Sequence, residues 1–254
     1  MLWKNGRRYD ITDVLKKWDY DLRQEMMVRR IIGKDGMPKI QMRLDLGILQ
    51  MEEKGRPDGK RPHGKESLLN YYEGIASWMK KKYGVTSDFS LDKDDCYALQ
   101  QEGIQYYYRY LCFFQLADFK KAERDTSRNL RLFDFVKKYA ADEKYIDDFE
   151  QYRPYVIMMN TRAKVLGALK AKDATRAVDE INHGIHKIEN AYGQKGTKSE
   201  HGSEINFLKN WADEIVKSYT PTKKQKLVEE LKTALENEEY EKAAKIRDKL
   251  KKMQ

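Results

Sequence analysis

The chain has 254 residues, 40% of them hydrophobic and 36% charged, with 17 tyrosines, 8 phenylalanines and 4 tryptophans. That is enough for one or two packed domains plus an appendage, and it excludes wholesale disorder. No run approaches the length of a spanning helix, and Lys4, Arg7 and Arg8 near the N-terminus lead into no apolar stretch, so the expectation is a cytoplasmic protein with neither signal peptide nor membrane partner.

The net charge of +9 is weighted to the N-terminal third, with 19 basic against 13 acidic residues over 1–90 and 31 against 28 over 91–254. Such an excess draws nucleic acid or an acidic partner, and a lysine-rich solvated surface gives the same count. Asp10-Ile-Thr-Asp13 reads as the cap of a short helix through Leu15 and Trp18. Met27–Ile32 and Lys39–Leu44 flank the turn sequence Gly33-Lys-Asp-Gly36 as two strands, and Leu46–Met51 reads as a third or as a continuation. Pro57-Asp58-Gly59 has turn order, and with Arg56, Lys60, Arg61 and His63 it predicts a basic, exposed loop. The stretch Gly55–Lys60 is one residue short of a phosphate-binding loop, and Arg61 stands where Ser or Thr would bind magnesium. A helix follows over Glu66–Lys82, so residues 1–90 are expected to form a small α+β module, a short antiparallel sheet packed against at least one helix.

From Leu91 the pattern turns helical, and residues 91–219 are expected to form a helical core. Asp92–Asp95 supplies caps for a first helix, with Tyr97, Ile104, Tyr108, Leu111 and Gln115 on its stripe and Cys112 and Phe113 beside it. After a break at Ala117-Asp118, a helix over Phe119–Tyr139 places Ala122, Leu130, Phe133 and Val136 for packing against the first. The carboxylates of Asp142–Glu150 read as a solvated connector. Further helices are expected from Pro154 to Leu169 and, after Lys172-Asp173, from Ala174 to Tyr192. Gly193–Gly202 reads as a flexible loop, and a helix over Glu204–Tyr219 turns Ile205, Leu208, Trp211, Ile215 and Val216 to one side. Cys96 and Cys112, without CxxC spacing, read as buried thiols of a reducing compartment.

Tyr106, Tyr110, Phe113, Asp118-Phe119 and Ala122 resemble a tetratricopeptide helix pair, and Asp173, Ala177 and Ile181 repeat the corner more poorly. Ala122 and Ala177 lie 55 residues apart instead of the family's 34, and Thr126 replaces a bulky residue. The resemblance therefore implies a helical-hairpin core rather than a regular array, and an ordinary helical bundle accounts for the same stripes.

At the C-terminus Thr220-Pro221 reads as N-cap and first helical residue. Leu227, Leu231, Ala234 and Leu235 then form one apolar stripe, and Tyr240, Ala243, Ala244, Arg247 and Leu250 a second, separated by Glu236-Asn-Glu-Glu239. Two helices this short bury little, so the hairpin needs a partner surface, and Arg247 and Asp248 are expected to pair with glutamates of the facing helix or of that partner. Tyr240, Glu241, Ala243, Ala244, Arg247 and Asp248 fill the Tyr/Phe-Glu-x-Ala-Ala-x-x-Arg-Asp signature of the UVR motif. Residues 222–254 thus resemble the hairpin shared by the excision-repair proteins UvrB and UvrC and by adaptors of Clp-type ATPases. The resemblance implies protein docking by those six residues, with a UVR-containing repair protein or a Clp-type ATPase as the partner. The rest of the chain carries no helicase, nuclease or zinc-adaptor pattern.

The fold class expected is mainly α with a small N-terminal α+β module and a C-terminal two-helix hairpin. No catalytic constellation, cofactor site or metal site is assigned, His183 and His186 lacking a third ligand nearby in sequence. The reading is a non-catalytic adaptor or scaffold. Its rivals are a nucleic-acid-associated accessory of DNA repair, using Arg56, Lys60 and Arg61 with Arg29, Arg30 and Lys34, and an enzyme of unrecognised type.

Overall fold

Alternating Ile, Met and Leu with Arg, Lys and Gln over residues 27–52 produces β1 (Met27–Ile32), β2 (Pro38–Leu44) and β3 (Gly47–Glu52), an antiparallel meander in that order. This computed structural model describes residues 10–84, 89–194, 202–219, 223–237 and 239–251. Gly36, with φ +75°, supplies the left-handed residue of the first turn. The register sets Val28 opposite Met42 and Ile40 opposite Met51, so one face of the sheet is apolar. It forms a single cluster with Cys112, Phe113, Ala122 and Ala163 of the helices that follow. The other face is polar, with the Arg29 guanidinium 4.0 Å from the Trp18 ring centre.

The helices are α1 (Thr12–Lys16), α2 (Leu68–Tyr83), α3 (Lys93–Gln115), α4 (Phe119–Tyr139), α5 (Glu143–Glu150), α6 (Arg153–Lys170), α7 (Ala174–Gln194), α8 (Ser203–Tyr219), α9 (Lys223–Glu236) and α10 (Tyr240–Lys251). Their starts follow local chemistry. Asp92 and Asp95 make a reciprocal capping box on α3, Ser67 caps α2 and Asp142 caps α5, and Pro154 sits in the first turn of α6.

The α3–α4 and α6–α7 corners share one geometry. Ala117 and Lys172 take φ +51° and +60°, and the Asp118 and Asp173 amides donate to Phe113 O and Ala168 O, the Schellman arrangement that closes a helix end. Ala122 and Ala177, one turn into the second helix of each pair, are fully buried. Gly184 sits against Thr161, where any Cβ would collide with that side chain. This close approach locks α7 onto α6.

The mainly α class with a small antiparallel sheet stands, and so do the buried thiols. Burial pushes Cys96, next to Asp95 and Asp92, up to about 11 and Cys112 up to about 12. Several expectations are corrected. The packed stripe of α3 is Cys96, Leu99, Gly103, Tyr106, Tyr110 and Phe113, whereas Tyr97, Ile104 and Tyr108 are exposed; tyrosines lie on both sides of α3, so periodicity did not single out the inner face. The acidic connector is the helix α5, which buries Phe149 and Glu150, the latter held by Arg153 at 2.6 Å. Val216 and Leu235 turn to solvent. Gly193 lies within α7, Gly202 is buried against Tyr192, and residues 195–201 lie outside the described residues, as does the Thr220-Pro221 cap.

Two buried carboxylates organise the junction of sheet and helices. Asp125 of α4 receives Arg109 of α3 through Nε at 2.7 Å and Nη2 at 3.0 Å, both side chains being 1% exposed. The Nη1 of Arg109 donates to Glu52 O at 2.9 Å and Gly55 O at 2.7 Å, which fixes the exit of β3. Glu102, fully buried, accepts the Leu68 and Leu69 amides that open α2 and pairs with Arg128 of α4. Burial holds Arg128 below the ordinary guanidinium value, with Glu102 opposing it. Removing one member of such a pair strands the other in a low-dielectric site. Asp125→Ala is therefore expected to lower stability by about 3–5 kcal/mol, whereas Asp35→Ala, which opens the half-exposed pair with Lys39, should leave stability close to wild type. Urea denaturation of the two variants makes the comparison.

Candidate interaction site

Helices α9 and α10 make their own small core. Ala234, Ala243 and Ile246 are buried together, with Leu227, Leu231 and Leu250 packed around them. The Glu239 amide closes the corner onto Ala234 O at 2.8 Å. Ala243 thus serves close packing between the two helices, since a longer side chain there would push them apart.

The remaining signature residues lie elsewhere on α10. Tyr240, Ala244 and Arg247 fall within about 60° of one another around the helix at 100° per residue. Tyr240 is 67% exposed and the Arg247 side chain 58%, while Ala244 is half-buried between them. Among the described residues Arg247 pairs with its neighbour Asp248, at 3.0 Å. A pair between adjacent, exposed residues of one helix is weakly held, which leaves the guanidinium free to exchange partners. Glu241 is also exposed, and Lys242 takes Glu239 at 2.7 Å, which raises its pKa. The outer face of α10 therefore presents an aromatic ring, a planar cation and a carboxylate around one small residue, the composition of an interface anchor.

The N-terminal basic residues are not one patch. Arg56 is drawn inward, with Nε 3.0 Å from Asp58 and Nη1 3.4 Å from the buried Glu102, its side chain 15% exposed. The expectation that it is exposed is corrected: Asp58 and the buried Glu102 together draw the guanidinium inward. Arg29 donates to Gln41 at 2.8 Å, and Arg30 reaches Glu53 at 3.2 Å and Asp118 at 2.9 Å. Although burial alone pushes the Asp118 carboxyl up, Lys121 and Arg30 hold it below its usual range. Lys34, Lys60 and Arg61 are exposed. Gly55 and Gly59, at φ +67° and +74°, shape the loop as a turn, and the Lys60 amide donates to the Asp58 carboxylate. His183 and His186 are exposed, His186 lying 3.3 Å from Glu189. No group of three His, Cys, Asp or Glu placed to hold a metal occurs among the described residues.

Sequence reasoning passed over Glu102, Arg109, Asp125 and Arg128. The signal available was their spacing: Glu102 and Arg109 lie on the inner stripe of α3, where a charge demands a partner on the facing helix.

Residues 222–254 match the UVR family, described as the UvrB/uvrC motif. No curated protein and no solved structure matches the chain.

The placement of the cations separates their roles. Arg56→Ala should destabilise the fold by about 2–4 kcal/mol by removing a partner of buried Glu102. Lys60→Gln with Arg61→Gln should stay within about 0.5 kcal/mol of wild type. Thermal and urea unfolding of both variants provides the check.

Proposed function

We propose that the protein is a non-catalytic adaptor whose C-terminal hairpin docks a second protein. The observation that carries this reading is the outward Tyr240–Ala244–Arg247 side of α10 within a segment that matches the UvrB/uvrC motif. A hairpin whose inner face, among the described residues, is built of small and aliphatic side chains gains by burying its outer face on a partner. A UVR-containing repair protein or a Clp-type ATPase is the class of partner that the motif suggests. The hairpin, residues 222–254, acts as a unit distinct from the N-terminal module and the helical core, which present or hold a client. The matched corners at Ala117 and Lys172 support a tetratricopeptide-like arrangement of that core. No helix among the described residues is long and apolar enough to cross a membrane; a cytoplasmic location is part of the proposal.

A nucleic-acid-associated role in repair is the second reading, favoured by the exposed Lys34, Lys60 and Arg61 and the N-terminal charge excess. It is weakened because Arg29, Arg30 and Arg56 are engaged in holding the fold. A salt titration of DNA binding by the full chain distinguishes the two, since phosphate contacts weaken steeply with salt.

Arg247→Glu should abolish co-purification of the partner while leaving far-ultraviolet circular dichroism unchanged. Tyr240→Ala should weaken binding by about 2 kcal/mol at a stability cost under about 0.5 kcal/mol, because the ring is exposed. Retained binding in Arg247→Glu, or loss of helix together with binding, would remove the arginine from the docking surface.

A further inference from the structure

Helices α3, α4 and α5 and the start of α6 enclose a cleft of about 510 Å3, distinct from the hairpin. Its floor is buried and apolar, formed by Tyr110, Leu132, Phe133 and Val156. Its rim carries Ile104, Tyr108 and Tyr152, which are 38–53% exposed. Tyr107 is the centre of an aromatic cluster, with ring centres 5.4 Å from Tyr108, 5.4 Å from Tyr110 and 6.4 Å from Tyr155. Exposed rings set around a concave apolar floor are characteristic of a built ligand site, and the volume falls within the range of small-molecule pockets.

The electrostatics select the ligand. Asp148 is the charged residue of the described lining, and it makes no ion pair among the described residues. The wall itself adds no other charge, since burial pushes the Tyr155 hydroxyl up to about 12 and that of Tyr110 higher still. The helix that carries Asp148 has Glu143, Asp147 and Glu150 against a single lysine, Lys144. Arg153, which follows it, is engaged by Glu150 and Asp134. An anion entering this cleft meets an unpaired carboxylate. A neutral apolar ligand covers that carboxylate and leaves it desolvated without compensation. A cation offsets the charge and gains from the faces of the tyrosine rings as well.

We propose that this cleft binds a small organic cation, an amine or quaternary ammonium on an apolar or aromatic body. The body fills the floor between Leu132, Phe133 and Val156, and the charged nitrogen lies among the rings at the Asp148 side. The volume exceeds what one lysine or arginine side chain of a partner protein fills, which favours a free small molecule over a docked peptide.

The test is calorimetric titration of the full chain with 2-phenylethylammonium and benzyltrimethylammonium, alongside 2-phenylethanol as the neutral counterpart. Both cations should bind saturably, and the alcohol at least about tenfold more weakly. Asp148→Asn should lower cation affinity about tenfold and leave the alcohol unchanged, and Tyr108→Ala should weaken both cations. Both positions are exposed, so circular dichroism should match wild type. Equal binding of the alcohol, indifference of the cations to Asp148→Asn, or saturation of neither cation below about 10 mM would overturn the proposal. So would binding seen with lysine- or arginine-bearing peptides and with neither free cation.

Discussion

The guanidinium of Arg109 is the constraint on which the rest of the chain is arranged. It is 1% exposed, so its donors must find acceptors inside the protein. Asp125 takes Nε and Nη2, while the carbonyls of Glu52 and Gly55 take Nη1. Three elements distant in sequence thereby acquire one relative position: the third strand, the first long helix and its successor. Glu102, two turns earlier on the same helix, repeats the principle with acceptors in place of donors, seating the first turn of α2 and the side chain of Arg128. Tyr106 lies between them in sequence, with Arg109 and Arg128 at 4.7 and 4.1 Å from its ring centre. Buried charges of this kind add little net stability compared with apolar packing, but they penalise any arrangement in which a partner is missing. Their role is to specify one packing of sheet on helices.

The hairpin is built on a different principle. Its core is aliphatic, small and supplied by α9 and α10 themselves, and the charges on α10 face outward in weak local pairs. Such a unit is held by its own helices and has reactive surface to spare. The proposed adaptor follows from this contrast between a charge-locked body and an appendage whose chemistry is on its outside. The aromatic cleft adds a third type of surface, concave and bearing one carboxylate, between α3, α4, α5 and the start of α6.

What could be read from the sequence depended on whether the physics was local. The caps at Asp92–Asp95 and the turn at Gly36 are set within a few residues, and they mark a helix start and a strand junction, whereas the cap at Asp142 and the helix it opens were read as a solvated connector. The break at Ala117-Asp118 was legible for the same reason. The inner face of α3 was not, because tyrosines occupy both sides: Tyr106 and Tyr110 pack inside, whereas Tyr97 and Tyr108 line the outside. The roles of Arg56 and Arg30 depended on acceptors 46 and 88 residues away, Glu102 and Asp118, and no pattern in the neighbouring residues carries that information. The hairpin signature was fully legible. Its division into an inner alanine and an outer Tyr–Arg side required the partner helix to be in place.

Native-state hydrogen exchange on the full chain tests the central claim, that buried ion pairs weld sheet and helices into one cooperative body to which the hairpin is appended. The account predicts that amides of β2 around Ile40 and Met42 share a single opening free energy with those of α3 and α4, while α9 and α10 open at a distinctly lower one. Independent, earlier exchange of β2, or protection of α10 equal to that of α3, would contradict it.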